Sequence, residues 1–177
     1  MASGDTLFVF TNVDYNSNPT NEYATQDTFT TTTGIRGVMK FNGYSTDTGQ
    51  ADQTAIAAAA MPAHYDGGGV NVVPWYTTDG VEGDPIKWQV AIEGLSDGDE
   101  VDTGTGNPDF GTATDITDSP STTAYVINKC SPGSISHANM GSPSAGDPIR
   151  FKINNDFNYD TGASDNLLLE RVVITEQ

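Results

Sequence analysis

Val70-Asn71-Val72-Val73-Pro74-Trp75-Tyr76, entered from Met61-Pro62-Ala63-His64-Tyr65-Asp66-Gly67-Gly68-Gly69, decides the fold class. The stretch reads as a strand end, a glycine hinge and a new strand. Proline cannot donate to a ladder, so Pro74 places this strand at an edge or gives it a bulge. A second run comes next, Ile86-Lys87-Trp88-Gln89-Val90-Ala91-Ile92. Ile86, Trp88, Val90 and Ile92 share one face, with Lys87, Gln89 and Ala91 on the other. That period of two is the pattern of a half-buried strand.

The same pattern extends outward in both directions. Thr6-Leu7-Phe8-Val9-Phe10-Thr11 is strongly β-prone. From Gly34 to Asn42, Ile35, Gly37, Met39 and Phe41 alternate with Arg36, Val38 and Lys40. The connection between them is long, with a short edge strand expected near Phe29. Thr122 to Ile127 sets Thr123, Tyr125 and Ile127 against Ala124 and Val126. Pro148 to Asn155 sets Ile149, Phe151 and Ile153 against Arg150, Lys152 and Asn154. Leu167 to Ile174 is apolar on both faces and is expected to be central. Ala51 to Met61 is ambiguous. Its alanine run favours helix, while Pro62 and the flanking strands favour strand. Ser96–Gly111, Ser131–Asp147 and Asn155–Asn166 read as loops.

The count is about eight strands with no helical period, the signature of an all-β, two-sheet antiparallel sandwich of jelly-roll or Greek-key type. Residues 1–177 are expected to form one domain. Its core is expected to hold Phe8, Phe10, Trp88, Val90, Ile92, Phe151, Ile153 and Val173.

The charge excludes several partners. The chain has 24 acidic and 7 basic residues, a net charge of −17. Phosphate contacts would face uncompensated carboxylates, so neither nucleic acid nor an anionic membrane is an expected partner. Cys130 is the single cysteine, so an intrachain disulfide is excluded and a zinc cluster has no ligands to build on. Met1 to Asp5 lacks a basic region and an apolar core, so no secretory signal is read there. No apolar run approaches a membrane span. The expectation is a soluble product of cytoplasmic synthesis.

Catalytic chemistry finds no foothold. His64 and His137 are the only histidines, and neither accompanies a strained serine turn. Carboxylates are too many for one pair to be singled out as a glycosidase dyad. The chain is therefore read as non-enzymatic, with no cofactor. Asp97, Asp99 and Asp102 are calcium candidates, against a plain reading as a solvated loop. Asp156 to Gly162 imitates an EF-hand loop, but its glycine comes one place late. Leu167 stands where the bidentate glutamate belongs. Trp75 and Tyr76 are candidates for a sugar-stacking platform, whereas Trp88 lies on an apolar face and is read as core.

The opening Met1 to Phe10, the Met61-to-Tyr65 stretch with its glycines, and Gly83-Asp84-Pro85-Ile86-Lys87-Trp88-Gln89-Val90-Ala91 resemble phage and prophage virion decoration proteins, head cement or fibre. The spacing of Ile149–Ile153 and Leu168–Ile174 is similar too. Pro85 and the run Ala57–Ala60 depart from that pattern. The resemblance implies a jelly-roll-like module on a capsid or tail, often a homotrimer, with no catalytic residues to carry over. The leading expectation is a capsid decoration or cement protein, made in the host cytoplasm and bound to the major capsid protein lattice on the virion surface. The alternative is a tail or head fibre module binding host-surface glycans. A secreted polysaccharide-acting enzyme is a third reading.

Overall fold

A computed structural model describes residues 4–10, 25–31, 34–41, 53–81, 83–95, 110–156 and 166–177. Eleven strands are present among them: β1 (Thr6–Phe10), β2 (Thr25–Thr31), β3 (Gly34–Phe41), β4 (Gln53–Ala60), β5 (Val70–Thr78), β6 (Ile86–Gly94), β7 (Thr114–Asp118), β8 (Asn128–Lys129), β9 (Gly133–Ile135), β10 (Pro148–Asn155) and β11 (Leu167–Glu176). One 3₁₀ turn, Ala138–Met140, interrupts them. The strands form two antiparallel sheets. The seven-stranded sheet runs β2-β3-β11-β5-β8, with β1 on β11 and β9 on β5; the four-stranded sheet runs β4-β10-β6-β7. The expected all-β sandwich is present.

The alternating runs bury the faces that their pattern indicates. Trp88 is enclosed, edge-on to Phe41 at 5.0 Å and to Tyr76 at 5.8 Å between ring centroids. Val90, Ile92, Ile149, Phe151 and Ile153 complete the wall from the second sheet. The ambiguous alanine segment is strand. All eight residues of β4 pair with β10, from Gln53↔Asn155 to Ala60↔Pro148. A full cross-strand ladder with a buried face outweighs the few tenths of a kcal/mol per residue by which alanine favours helix.

Pro74 does not place β5 at an edge: the strand is interior, and its neighbour is interrupted at the proline instead. On one side β5 pairs with β11. On the other, β8 covers Trp75 and Tyr76 while β9 covers Val70 to Val72, so the partner strand is split opposite the proline. Cys130, between the two pieces, donates its N–H to the Pro74 carbonyl at 3.1 Å.

Four expectations need correction. Ser131–Asp147, read as a loop, contains β9 and the 3₁₀ turn. Val173 faces outward, and Val172 and Ile174 take the core positions. A bulge between Leu169 and Arg171 adds a residue, switching the buried row from odd to even numbers. Phe8 and Phe10 are half-buried at the rim; Phe10 stacks on Phe151 at 5.4 Å. Thr122 to Ile127 is not a strand, because Tyr125 turns into the left-handed region at φ 62°. The neighbouring strand lies earlier, at β7, which pairs with β6.

The sandwich is closed along one side where β7 meets β9. An added Cβ at Gly133 would lie 2.5 Å from Ile116 Cγ1, so glycine permits this approach. Thr114 Oγ1 donates to the Ser134 carbonyl at 3.1 Å across the same seam. Deeper, the Tyr76 hydroxyl on β5 donates to Asp118 Oδ2 on β7 at 2.9 Å. The buried Cys130 thiol lies near enough for the Asp118 charge to raise its pKa as well. One carboxylate thus fastens the two sheets. Burial and this carboxylate raise the Tyr76 and Cys130 pKa values, keeping both groups neutral.

Candidate functional site

Beyond Thr78, at the end of β5, two turns adjoin. The bend at 79–81 is one, and past it Gly83 abuts Thr122: a Cβ at Gly83, whose φ is +71°, would meet Thr122 Cγ2 at 2.7 Å. The longer turn, residues 119–128, is held by its own polar groups. Tyr125 N–H donates to the Thr78 carbonyl at 2.8 Å. Asn128 Oδ1 accepts from Ser121 N–H at 2.8 Å, and Asn128 Nδ2 donates to the Val126 carbonyl at 2.9 Å. These bonds hold Tyr125 in a conformation that non-glycine residues seldom adopt.

The result is a braced tip with apolar side chains facing solvent. Val81 is 61% exposed, Tyr125 50%, Ile127 44% and Val126 41%. These are four of the five large apolar residues exposed among those described. The stretch 119–128 contains no Asp, Glu, Lys or Arg in a chain with net charge −17. Polar interiors of turns with apolar tips are the reverse of ordinary solvent-facing loops. Exposed apolar side chains of this kind make the tip a candidate association surface.

Three of the basic side chains are engaged within the fold. Lys87 lies 2.5 Å from Asp156 and 3.6 Å from Asp115. Arg150 Nε donates to Glu93 Oε2 at 2.8 Å. Arg150 Nη2 also lies 2.5 Å from that oxygen, but it is misaligned for a hydrogen bond. The Lys152 ammonium sits 4.9 Å from the centre of the Phe110 ring, and burial lowers its pKa.

The sequence-level candidates fare differently. Tyr76 is fully buried and cannot serve a stacking platform; its alternation with the outward-facing Trp75 puts it on the core face. Trp75 is half-buried, with the Arg171 guanidinium 4.2 Å and the Lys129 ammonium 5.4 Å from its ring centre. Arg171 therefore already occupies an aromatic face. Asp97, Asp99 and Asp102 lie outside the described residues. His64 is exposed. His137 is half-buried, its Nε2 3.1 Å from the Pro143 carbonyl and its ring 6.0 Å from that of Tyr65. Among the described residues no three His, Cys, Asp or Glu side chains converge as a metal cluster. No helix among them is long and apolar enough to cross a membrane. The apolar tip was hidden in the sequence by its strand-like alternation; its lack of charge between Asp118 and Lys129 was the available signal.

No protein-family model matches this chain, and no curated protein matches it. Among solved structures, it is 17% identical to the Arthrobacter globiformis isomalto-dextranase complexed with panose, with a TM-score of 0.44 over 78% of this chain and 18% of that one. It is 11% identical to the CBM22-1 xylan-binding domain from Paenibacillus barcinonensis, with a TM-score of 0.46 over 99% and 97% of the two chains. A putative sugar binding protein from Bacteroides thetaiotaomicron is 8% identical, with a TM-score of 0.47 over 100% and 90%. The chain thus spans less than a fifth of the dextranase. Likenesses this slight assign neither a ligand nor an activity.

Proposed function

We propose that this chain is a non-enzymatic virion structural module, a head decoration protein that docks on the capsid lattice. The observation that carries the reading is the braced apolar tip of Val81, Tyr125, Val126 and Ile127. A pre-ordered loop loses little conformational entropy on docking, so its apolar area goes into affinity. The acidic remainder keeps the protein soluble. The resemblance of the Met61–Gly69 and Gly83–Ala91 stretches to virion decoration proteins supplies the capsid as partner and the homotrimer as assembly. The glycan-binding alternative has lost Tyr76 from its platform, and an arginine lies over Trp75.

Cosedimentation with undecorated capsids of the encoding virus tests the reading. Saturable binding that persists as salt is raised is expected, because an apolar contact is not screened. Retention on host-surface glycans with no binding to capsids would replace the proposal with the fibre reading. Light scattering tests the trimer.

A further inference from the structure

At the other end of β5 the fold buries a carboxylate without a cation. The inward row of β11 runs Val172, Ile174, Glu176, so the strand's alternation carries an acidic residue into the interior. Glu176 is 2% exposed. Its Oε1 accepts the Asp66 N–H at 3.0 Å. Its Oε2 is buried with no hydrogen-bond partner. Among the described residues no lysine, arginine or histidine pairs with it. A buried anion with one hydrogen bond is costly and calls for a compensating charge.

The turn that wraps over Glu176 offers oxygen atoms. It is Tyr65-Asp66-Gly67-Gly68-Gly69, with Gly67 at φ +91°. A Cβ at Gly68 would lie 3.5 Å from Asp66 Oδ1 and 3.9 Å from Glu176 Oε1. Glycine therefore leaves open the space that these two carboxylates flank. The Tyr65 hydroxyl donates to the Gly68 carbonyl. His137, whose ring lies against Gly67, has its Nε2 engaged with the Pro143 carbonyl.

We infer that a hard divalent cation, calcium by its ligand chemistry, binds between Glu176 and Asp66 at the Gly68 turn. Calcium accepts mixed carboxylate, carbonyl and water oxygens in flexible geometry, whereas magnesium demands a near-ideal octahedron. Two carboxylates neutralise it, and carbonyl oxygens and water complete the shell. With so few charged ligands the affinity belongs in the weak class, about 10⁻⁴–10⁻³ M. The ion ties the end of β11 to the β4–β5 connection. The site is separate from the Asp97, Asp99 and Asp102 loop, and it does not depend on how the protein docks.

The test uses the full chain after chelation, titrated with calcium and, separately, with terbium, whose luminescence neighbouring tyrosine excites. At 10 mM calcium the melting temperature is expected to rise by roughly 3–10 °C. Glu176→Gln keeps an acceptor for the Asp66 N–H and removes the charge. It is expected to melt higher than wild type in chelator and to lose the calcium response and the terbium signal. Asp66→Asn alters an exposed side chain and carries the test should the first variant misfold; it is expected to weaken both responses at least tenfold. D97N/D99N/D102N is expected to keep them. The inference is overturned if calcium leaves the wild-type melt unchanged. It is equally overturned if the response survives E176Q and D66N and disappears in the triple variant.

Discussion

Removing one oxygen, in Tyr76→Phe, should loosen the join between the two sheets. The phenol is fully buried, and its hydroxyl donates to Asp118 Oδ2 at 2.9 Å. A hydrogen bond to a charged partner contributes about 1.5–3 kcal/mol. Asp118 is only half-buried, so water recovers part of that when the hydroxyl is gone. The expected loss is then about 1–2 kcal/mol, which in a chain of this length lowers the melting temperature by roughly 2–8 °C. Asp118→Ala is the companion variant. It leaves the Tyr76 hydroxyl buried without its acceptor, at about 1–3 kcal/mol. The double variant should cost less than the sum, since both changes break one interaction. Calorimetry and urea unfolding read all three. A Y76F protein within about 0.5 kcal/mol of wild type, or strict additivity in the double variant, would show that this bond does not hold the sheets together.

Two further outcomes concern the same seam and the β4–β5 turn. Gly133→Ala forces a Cβ to 2.5 Å from Ile116 Cγ1, an atom too near its own backbone to swing clear; a loss of about 1–3 kcal/mol is expected, partly suppressed by Ile116→Ala, as read by urea midpoints. Tyr65, raised to about 12, and Tyr76 and Cys130, also raised, all hold their protons longer in the fold than in the unfolded chain. Their contribution is complete below about pH 8.5 and lost as pH rises through roughly 10 to 12, so stability should fall across that window and fall less in Tyr65→Phe.

Which features were legible in the sequence depends on what sets each of them. Strands whose two faces differ, such as Ile86–Ile92 and Pro148–Asn155, announced themselves, because burial on one face writes a period of two. Where both faces are apolar, as in Leu167–Ile174, the pattern could not say which row turns inward, and the bulge beside Arg171 decided it. The strand at Thr114–Asp118 was missed because it offers just one core side chain, Ile116. The apolar tip was misread since alternation alone does not report a left-handed residue such as Tyr125. The Glu176 site was invisible because its members lie 110 residues apart. No local spacing joins Asp66 to the last strand.

The central claim is that the tip at Val126 and Ile127 is the docking surface, and its most direct test is the capsid affinity of V126D/I127D. Both side chains are roughly half exposed, so burying what remains contributes about 1 kcal/mol each. Losing both should weaken binding about 30-fold or more, since charge at an apolar contact adds a desolvation cost. The melting temperature should barely move, because neither residue packs in the core. Wild-type affinity in the double variant, at an unchanged melting temperature, would contradict the account.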